Sequence, residues 1–222
     1  MAPSMRTPWL WQRRRQWAAR GRAEGELLYV AIGDSAAQGI GVRDLDSSYV
    51  GLLRNRLQRL SGRTVRVVNL SRYGARIGDA LDRQLPLLRA IIDETGREPD
   101  LVTVAIGAND MRDVDHDGFV AGVERLIDSV PRHAVIADLP CFHFGPRELN
   151  AADASRAIET RVRASGRPFA PLHRVTELRR GPQSWAEFTW DQFHPNRLGY
   201  RVWESAFASA VNRRARQLRL GD

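Results

Sequence analysis

Short apolar runs alternate along this chain with longer segments of helical periodicity, and this alternation limits the folds open to it. Four runs, at residues 27–32, 64–70, 101–106 and 134–139, are rich in branched aliphatic side chains and have the length of buried strands. A weaker run at residues 169–172 is a fifth candidate. Because no hairpin signal joins these runs, the sequence predicts an α/β protein, a three-layer α/β/α sandwich on a parallel sheet.

Helices are predicted wherever apolar residues recur at helical spacing between the strands. They lie at about residues 49–61 and 77–92, from the end of an acidic loop at 118 to 129, at 151–165, and from 195 to 217. Pro86 is expected to kink or split the second of them. Residues 140–150 and 177–190 are predicted to be irregular.

The formal charge of +8 comes from the two ends of the chain, and all 34 basic residues are arginines. Residues 1–24 carry a net charge of +5 and residues 201–222 carry +3, so the body between them is neutral. A neutral body argues against a nucleic-acid-binding groove, and no nucleic-acid partner is expected.

The charge and composition divide the chain into three predicted parts: a basic N-terminal tail rich in Arg and Trp (1–24), one folded domain (25–217) and a short C-terminal tail (218–222). Arg and Trp together suit an anionic membrane interface. However, the run Arg13-Arg14-Arg15 leaves no apolar stripe on a helix. The preferred interpretation is a partly ordered tail that packs its Trp side chains on the domain, with peripheral membrane contact as the alternative.

Cys141 is the only cysteine, so no intramolecular disulfide can form and a reducing compartment is compatible with the sequence. No apolar run approaches the roughly 18 residues of a membrane span. The N-terminal arginines are not followed by the apolar stretch of a secretory signal. These observations predict a cytoplasmic protein.

Polar residues and glycines follow three of the predicted strands near the point where each strand ends. Asp34 and Ser35 follow the first strand, Gly74 lies beyond the second, and Asn109 lies beyond the third. Because the carboxyl ends of parallel strands share one edge of the sheet, we expect these residues to meet there. Gly-Asp-Ser by itself is also an ordinary turn and helix N-cap, so the interpretation depends on the whole set.

Asp191 and His194 add a carboxylate and an imidazole near the end of the domain. Their three-residue offset places both side chains on one face of a helical turn. A serine hydroxyl becomes a good nucleophile when an imidazole accepts its proton and a carboxylate orients that imidazole. The backbone N–H groups of Ser35 and Gly74 and the Asn109 carboxamide are suitable donors to an oxyanion.

Together these stretches resemble the SGNH hydrolases, the GDSL-type esterases and lipases. The matching blocks are Gly33-Asp34-Ser35, residues 69–74, Gly107-Ala108-Asn109-Asp110 and Asp191-Gln192-Phe193-His194, and the resemblance covers residues 26 to about 212. One departure is Ala-Ala-Gln at residues 36–38, where the family often has a leucine after the serine. The resemblance implies a flavodoxin-like, five-stranded sheet.

The same resemblance implies the roles of the site residues. Ser35 would be the nucleophile, His194 the base and Asp191 the residue that orients it. Ser35, Gly74 and Asn109 would form the oxyanion hole. No cofactor and no metal are implied.

The function that the resemblance implies is a serine ester hydrolase that cleaves carboxylic or thio esters through an acyl-enzyme. An acyltransferase would use the same site with a different hydroxyl acceptor. From another class, the basic ends are compatible with a membrane- or nucleic-acid-binding protein that carries a vestigial site. The expected partner is a small-molecule or lipid-like ester, whose acyl length and leaving group stay open.

Three further residues are candidates for substrate binding. His143 lies in the irregular segment at 140–150, and Trp185 and Trp190 lie just before Asp191. The simpler alternatives are a surface position for the histidine and core or rim positions for the tryptophans. Cys141 is expected to be a small buried hydrophobe rather than a nucleophile.

Metal binding is not expected at either of two places. His116, His133, His143 and His173 show no metal-ligand spacing with Cys or carboxylates. Asp113, Asp115, Asp117 and Glu124 match an EF-hand loop pattern, but a strand end precedes the loop instead of a helix. We expect a solvated acidic loop whose Asp117 caps the next helix.

Overall fold

Five parallel strands form a single sheet in the computed structural model, which describes residues 7–220. The strands are β1 (Leu27–Gly33), β2 (Val65–Asn69), β3 (Leu101–Ala105), β4 (Val135–Ala137) and β5 (Phe169–Ala170). Their order in the sheet is β2-β1-β3-β4-β5, with every neighbouring pair parallel. This is the flavodoxin-like order, so the predicted fold class is confirmed.

Helices cover both faces of the sheet. They are α1 (Thr7–Arg22), α2 (Tyr49–Ser61), α3 (Ile77–Asp79), α4 (Leu85–Thr95), α5 (His116–Ser129), α6 (Pro146–Ala164), α7 (Leu172–Glu177) and α8 (Arg197–Leu220). A π-helical segment, Ala80–Gln84, joins α3 to α4 and ends just before Pro86. The predicted interruption of this helix is therefore present as a π segment.

Two helix starts differ from the sequence predictions. Helix α6 begins at Pro146 instead of 151, because Gly145 adopts a φ of 84° and Pro146 fits the first helical turn. The residue that caps α5 is Asp115 and not Asp117, since Asp115 accepts a 3.2 Å hydrogen bond from the N–H of Gly118. Helix α7 was not predicted.

The core has two parts, one on each face of the sheet. On one face α2 and α8 pack around Tyr49, Tyr200 and Phe207. On the other face α4, α5 and α6 pack around residues such as Leu88 and Val123. Strand β1 is buried along its whole length, because its side chains contribute to the core on both faces of the sheet. This packing holds its carboxyl end in place.

Most of the predicted N-terminal tail is the helix α1, which packs beside β2. Trp17 is only 5% exposed, and its Nε1–H donates a 3.0 Å hydrogen bond to the carbonyl of Gln38. Arg13 is also buried and donates to the carbonyl of Val42. The outer tryptophans, Trp9 and Trp11, stay exposed. The expected packing of Trp on the domain therefore holds for Trp17, while the domain boundary at residue 24 stays a prediction.

Residues 1–6 of the predicted N-terminal tail and 221–222 of the C-terminal one lie outside the described residues. In the described range, 7–220, no helix combines the length and the apolar character needed to cross a bilayer.

Candidate active site

The turn that carries Ser35 begins at Gly33, which pairs with Ala105 of β3. A Cβ atom on Gly33 would lie 2.7 Å from the carbonyl oxygen of Ala105 and 2.8 Å from the Cβ of Ala37, so only glycine fits. In the turn itself, Asp34 Oδ1 accepts a 2.9 Å hydrogen bond from the N–H of Ala36. The close approach and this bond fix the backbone on both sides of Ser35.

A buried glutamine holds the end of β1 from the neighbouring helix layer. The Gln84 side chain donates to the Gly33 carbonyl at 2.9 Å and accepts from the Gly33 N–H at 3.0 Å. Gln84 is fully buried and ends the π-helical segment. The sequence prediction did not include Gln84, whose only signal was a polar residue among the apolar positions just before Pro86.

Ser35, His194 and Asp191 form a chain of hydrogen bonds at the carboxyl edge of the sheet. His194 Nε2 is 3.0 Å from Ser35 Oγ, and His194 Nδ1 is 2.6 Å from Asp191 Oδ2. Ser35 and His194 are both buried, while Asp191 is partly exposed. The structure therefore brings together the three residues that the sequence predicted to meet.

Asp191 also organises its own turn. Its Oδ1 accepts hydrogen bonds from the Thr189 hydroxyl and from the N–H groups of Phe193 and His194, at 2.7, 3.0 and 2.9 Å. Partial burial acts to raise the pKa of Asp191, but the bonds from His194, Thr189 and Phe193 outweigh it and hold the pKa well below its usual range. The carboxylate thus stays ionised and can stabilise an imidazolium at His194.

Three candidate donors to an oxyanion lie beside the Ser35 hydroxyl: the N–H groups of Ser35 and Gly74 and the side-chain amide of Asn109. Within residues 7–220 the backbone N–H groups of Ser35 and Gly74 donate no hydrogen bond. Gly74 has a φ of 71°, which favours glycine, and a Cβ there would meet nothing within 4 Å. The Asn109 amide donates to the carbonyl of Ala75 at 3.0 Å and has a longer contact of 3.5 Å to Asp34 Oδ2.

These donors open on a cavity of about 310 Å³ beside Ser35 and His194. Two arginines, Arg76 and Arg112, complete its edge. A developing negative charge in this cavity would therefore meet N–H donors nearby and positive side chains at the rim.

A buried acid, Asp34, and a partly buried one, Asp110, lie behind the donors. Burial raises the pKa of Asp34 to about 7, and burial likewise raises the pKa of Asp110 to about 6. Asp110 Oδ2 accepts a 3.2 Å hydrogen bond from the N–H of Ile77, which ties the residue after Asn109 to the start of α3. Asp34 thus stabilises the turn after β1, and Asp110 links the segment after β3 to α3.

A smaller, mostly apolar pocket of about 60 Å³ opens on the other side of Ser35. Its wall includes Phe142, His143, Phe188 and Phe193. His143 thus lies where the sequence predicted, with burial lowering the pKa of its imidazole. Phe188, which lies between the two candidate tryptophans in the sequence, supplies part of the wall.

The two candidate tryptophans do not lie in this pocket. Trp190 is 89% exposed and lines a wider groove of about 590 Å³ next to His194, together with Trp9 and Tyr73. Trp185 is 65% exposed, and it is absent from the lining of the three described cavities that border Ser35 or His194. A 3₁₀ helix, Pro182–Glu187, directs its side chain to solvent.

The sequence between residues 31 and 202 matches the model of the GDSL-like lipase/acylhydrolase family. The chain belongs to this family. The family is one of ester hydrolases, and the match spans Ser35, Gly74, Asn109, Asp191 and His194. No curated protein matches the GDSL-like chain significantly by sequence.

Solved structures of similar fold include esterases. Axe2, an acetylxylan esterase from Geobacillus stearothermophilus, is 19% identical, with a TM-score of 0.67 over 84% of this chain and 94% of its own. LAE5, an alpha/beta hydrolase enzyme from the metagenome of Lake Arreo, Spain, is 23% identical, with a TM-score of 0.63 over 85% of this chain and 96% of its own. At these identities the likeness shows a shared fold.

The EF-hand-like residues of this GDSL-like chain are used in other ways. Asp115 caps α5, and Glu124 forms an ion pair of 2.7 Å with Arg161 of α6. Elsewhere in the described chain one group of three metal-ligating side chains lies close together, and it consists of Cys141, Glu148 and His173. The sequence spacing of His173 gave no indication of this group, because the three residues come together only where α7 folds back onto the segment after β4.

Proposed function

We propose that the protein is a serine ester hydrolase that cleaves carboxylic or thio esters through an acyl-enzyme on Ser35. The observation that carries this proposal is the pair of short contacts at His194, 3.0 Å to the Ser35 hydroxyl and 2.6 Å to the Asp191 carboxylate. Structures of Axe2 support it, since its catalytic mutants replace a serine, an aspartate or a histidine with alanine.

The proposed first half-reaction begins when His194 Nε2 takes the Ser35 proton. The Ser35 Oγ attacks the carbonyl carbon, and the N–H groups of Ser35 and Gly74 and the Asn109 amide donate to the oxyanion. The tetrahedral intermediate then expels the alcohol or thiol, which receives its proton from His194. In the second half-reaction a water attacks the acyl-enzyme with His194 again as base.

The small pocket sets the proposed acyl size. Its volume of about 60 Å³ is far below the roughly 300–1,000 Å³ of pockets that enclose drug-sized ligands. Phe142 and Phe193 make part of its wall apolar. An acetyl or propionyl group fits this space, whereas a long fatty acyl chain does not. The leaving group then lies on the open side of His194, toward the groove that contains Trp190.

An acyltransferase is the second candidate. The observation in its favour is the same groove, whose volume of about 590 Å³ beside His194 is large enough for an alcohol. Both activities share the acyl-enzyme and differ only in the acceptor that resolves it. The vestigial-site alternative is disfavoured by the intact contacts among Ser35, His194 and Asp191.

The test is covalent labelling with a fluorophosphonate, combined with turnover of esters and thioesters of increasing acyl length, with and without added alcohols. We expect labelling of the wild type, none in Ser35→Ala, and a preference for two- and three-carbon acyl groups. Ser205→Ala, at the surface of α8, is the matched control and should label normally. Labelling that persists in Ser35→Ala would refute the assignment of the nucleophile. Faster product formation with an alcohol than with water would favour the acyltransferase.

A further inference from the structure

A buried polar cluster borders the small pocket through Cys141 and plays no part in the proposed reaction. Cys141 Sγ is 3.3 Å from Glu148 Oε1, and His173 Nε2 is 3.2 Å from the same oxygen. The three ligand atoms all lie within 4.8 Å of one another. The three residues are only 3%, 6% and 8% exposed, so water contributes little to their solvation.

The imidazole of His173 is close to Glu148 without being hydrogen-bonded to it. Its Nε2 atom is buried and has no hydrogen-bond partner, although the Glu148 oxygen is 3.2 Å away. A buried nitrogen without a partner is costly in a folded protein. Two ligands of one metal ion show this combination, because their lone pairs point at the ion and not at each other.

The spacing of the cluster suits a tetrahedral ion. With metal–ligand bonds of about 2.0–2.3 Å, tetrahedral geometry places neighbouring ligand atoms about 3.3–3.8 Å apart. The observed separations of 3.2 and 3.3 Å need only a small outward shift. Thiolate, imidazole and carboxylate together are donors that zinc prefers.

We propose that Cys141, Glu148 and His173 bind a zinc ion, with a fourth position left to a solvent molecule. On binding, the Cys141 thiol loses its proton to solvent and becomes a thiolate ligand. The ion gives the buried His173 nitrogen a partner and balances the charges of Glu148 and the thiolate. This inference is independent of the proposed esterase chemistry.

Arg180 is the competitor for this site. Its Nη2 atom is 2.6 Å from Glu148 Oε1 and 3.4 Å from Cys141 Sγ, so a cationic group already contacts two of the three ligands. The Arg180 side chain is partly exposed, and Glu177 lies 3.3 Å away as an alternative partner. Arg180 can therefore turn toward Glu177 when the ion enters, and removal of its guanidinium should strengthen metal binding.

The ligands join three separate pieces of the chain. Cys141 follows β4, Glu148 lies in the first turn of α6, and His173 lies in α7. Since Cys141 also lines the small pocket, a bound ion would fix the pocket wall in place. The expected consequence is a metal-dependent rise in melting temperature.

The first test is a calorimetric titration of Zn²⁺ into full-length protein that has been stripped with a chelator. We expect one ion per chain, at least tenfold weaker binding in Cys141→Ser and in His173→Gln, and tighter binding in Arg180→Gln. His133→Gln is the matched control, because His133 is paired with Glu98 away from any cysteine and should leave the affinity unchanged. Substoichiometric binding, or equal affinity in Cys141→Ser, would overturn the proposal.

The second test needs no variant, so it holds even if the substitutions impair folding. Co²⁺ replaces zinc in such sites and shows a thiolate-to-cobalt charge-transfer band when cysteine is a ligand. We expect this band to reach its maximum at one Co²⁺ per chain and to disappear on addition of Zn²⁺. A cobalt spectrum without the band would show that Cys141 is not a ligand and would refute the site.

Discussion

The side-chain amide of Asn109 donates a 3.0 Å hydrogen bond to the carbonyl oxygen of Ala75, directly after Gly74. This bond fixes the orientation of the amide. The second contact of the same nitrogen, to Asp34 Oδ2, is 3.5 Å long and therefore weak. Asn109 thus ties two loops together and still has a hydrogen available for an oxyanion near Ser35.

Replacement of Asn109 by alanine should separate these two roles. The oxyanion exists only in the transition state and the intermediate. Removal of the Asn109 amide as a donor should therefore lower kcat by about 10²–10³ and leave KM nearly unchanged. Loss of the bond to Ala75 should lower the free energy of unfolding by about 1 kcal/mol. Steady-state kinetics with a short-chain ester and urea unfolding measure both. A folded variant with normal kcat would show that Asn109 is only a structural link.

Replacement of Asp191 by asparagine should slow the reaction without unfolding the site. The substitution keeps the size of the side chain but removes the charge that stabilises a protonated His194. In a Ser-His-Asp arrangement this costs up to about 10⁴ in kcat. Circular dichroism checks the fold, and single-turnover kinetics report the acylation step. Acylation at the wild-type rate would exclude Asp191 as the residue that orients His194.

Asp34 should make the stability depend on pH. Burial raises its pKa to about 7 in the folded protein, against about 3.9 in an unfolded chain. Between these values the folded state binds the extra proton. The stabilisation is therefore complete below about pH 4 and is lost as the pH rises through about 7, with a slope of up to about 1.4 kcal/mol per pH unit.

Asp34→Asn cannot titrate and should remove that slope. The difference in free energy of unfolding, variant minus wild type, should therefore be larger at pH 8 than at pH 5, as measured by urea denaturation. Burial also raises the pKa of Asp110 to about 6 and of Asp138 to about 7, so part of the wild-type pH dependence should remain. Asp113→Asn, at the surface, serves as the control. An Asp34→Asn effect of equal size at both pH values would contradict the assignment.

Gln84 should be needed for both stability and turnover. Gln84→Met keeps the volume of the side chain but leaves the buried N–H of Gly33 without its partner, at a cost of about 1–3 kcal/mol. Because Ser35 is only two residues away, kcat should also fall. Gln12→Met, on the exposed side of α1, is the matched control. Wild-type stability in Gln84→Met would mean that the pairing of β1 with β3 is enough to hold the end of β1.

The sheet and the residues around Ser35 could be predicted because their signals are local. Four of the strands are marked by apolar runs, and Ser35, Gly74 and Asn109 each lie within a few residues of the end of one of them. The position of His194 relative to Ser35 then follows from the fold, although 159 residues separate them.

The features that were missed depend on contacts between distant segments. Helix α7 is held by Asp138, which accepts a 2.8 Å hydrogen bond from the N–H of His173 across 35 residues. Gln84 reaches Gly33 across 51 residues. No periodicity within α7 or the π segment encodes the partner on the other side of such a contact.

The position of α1 leads to the last prediction, which concerns Trp17. Its ring is buried in the core on the α2 and α8 face, and its Nε1–H holds the Gln38 carbonyl in the loop that follows Ser35. Trp17→Ala should therefore lower the free energy of unfolding by about 3–5 kcal/mol, and it should lower kcat by loosening that loop. Trp11→Ala, which removes an exposed ring from the same helix, should change neither quantity. Urea unfolding and short-ester kinetics on both variants are the measurement. If Trp17→Ala matched Trp11→Ala in stability, α1 would be an accessory tail and not part of the folded domain.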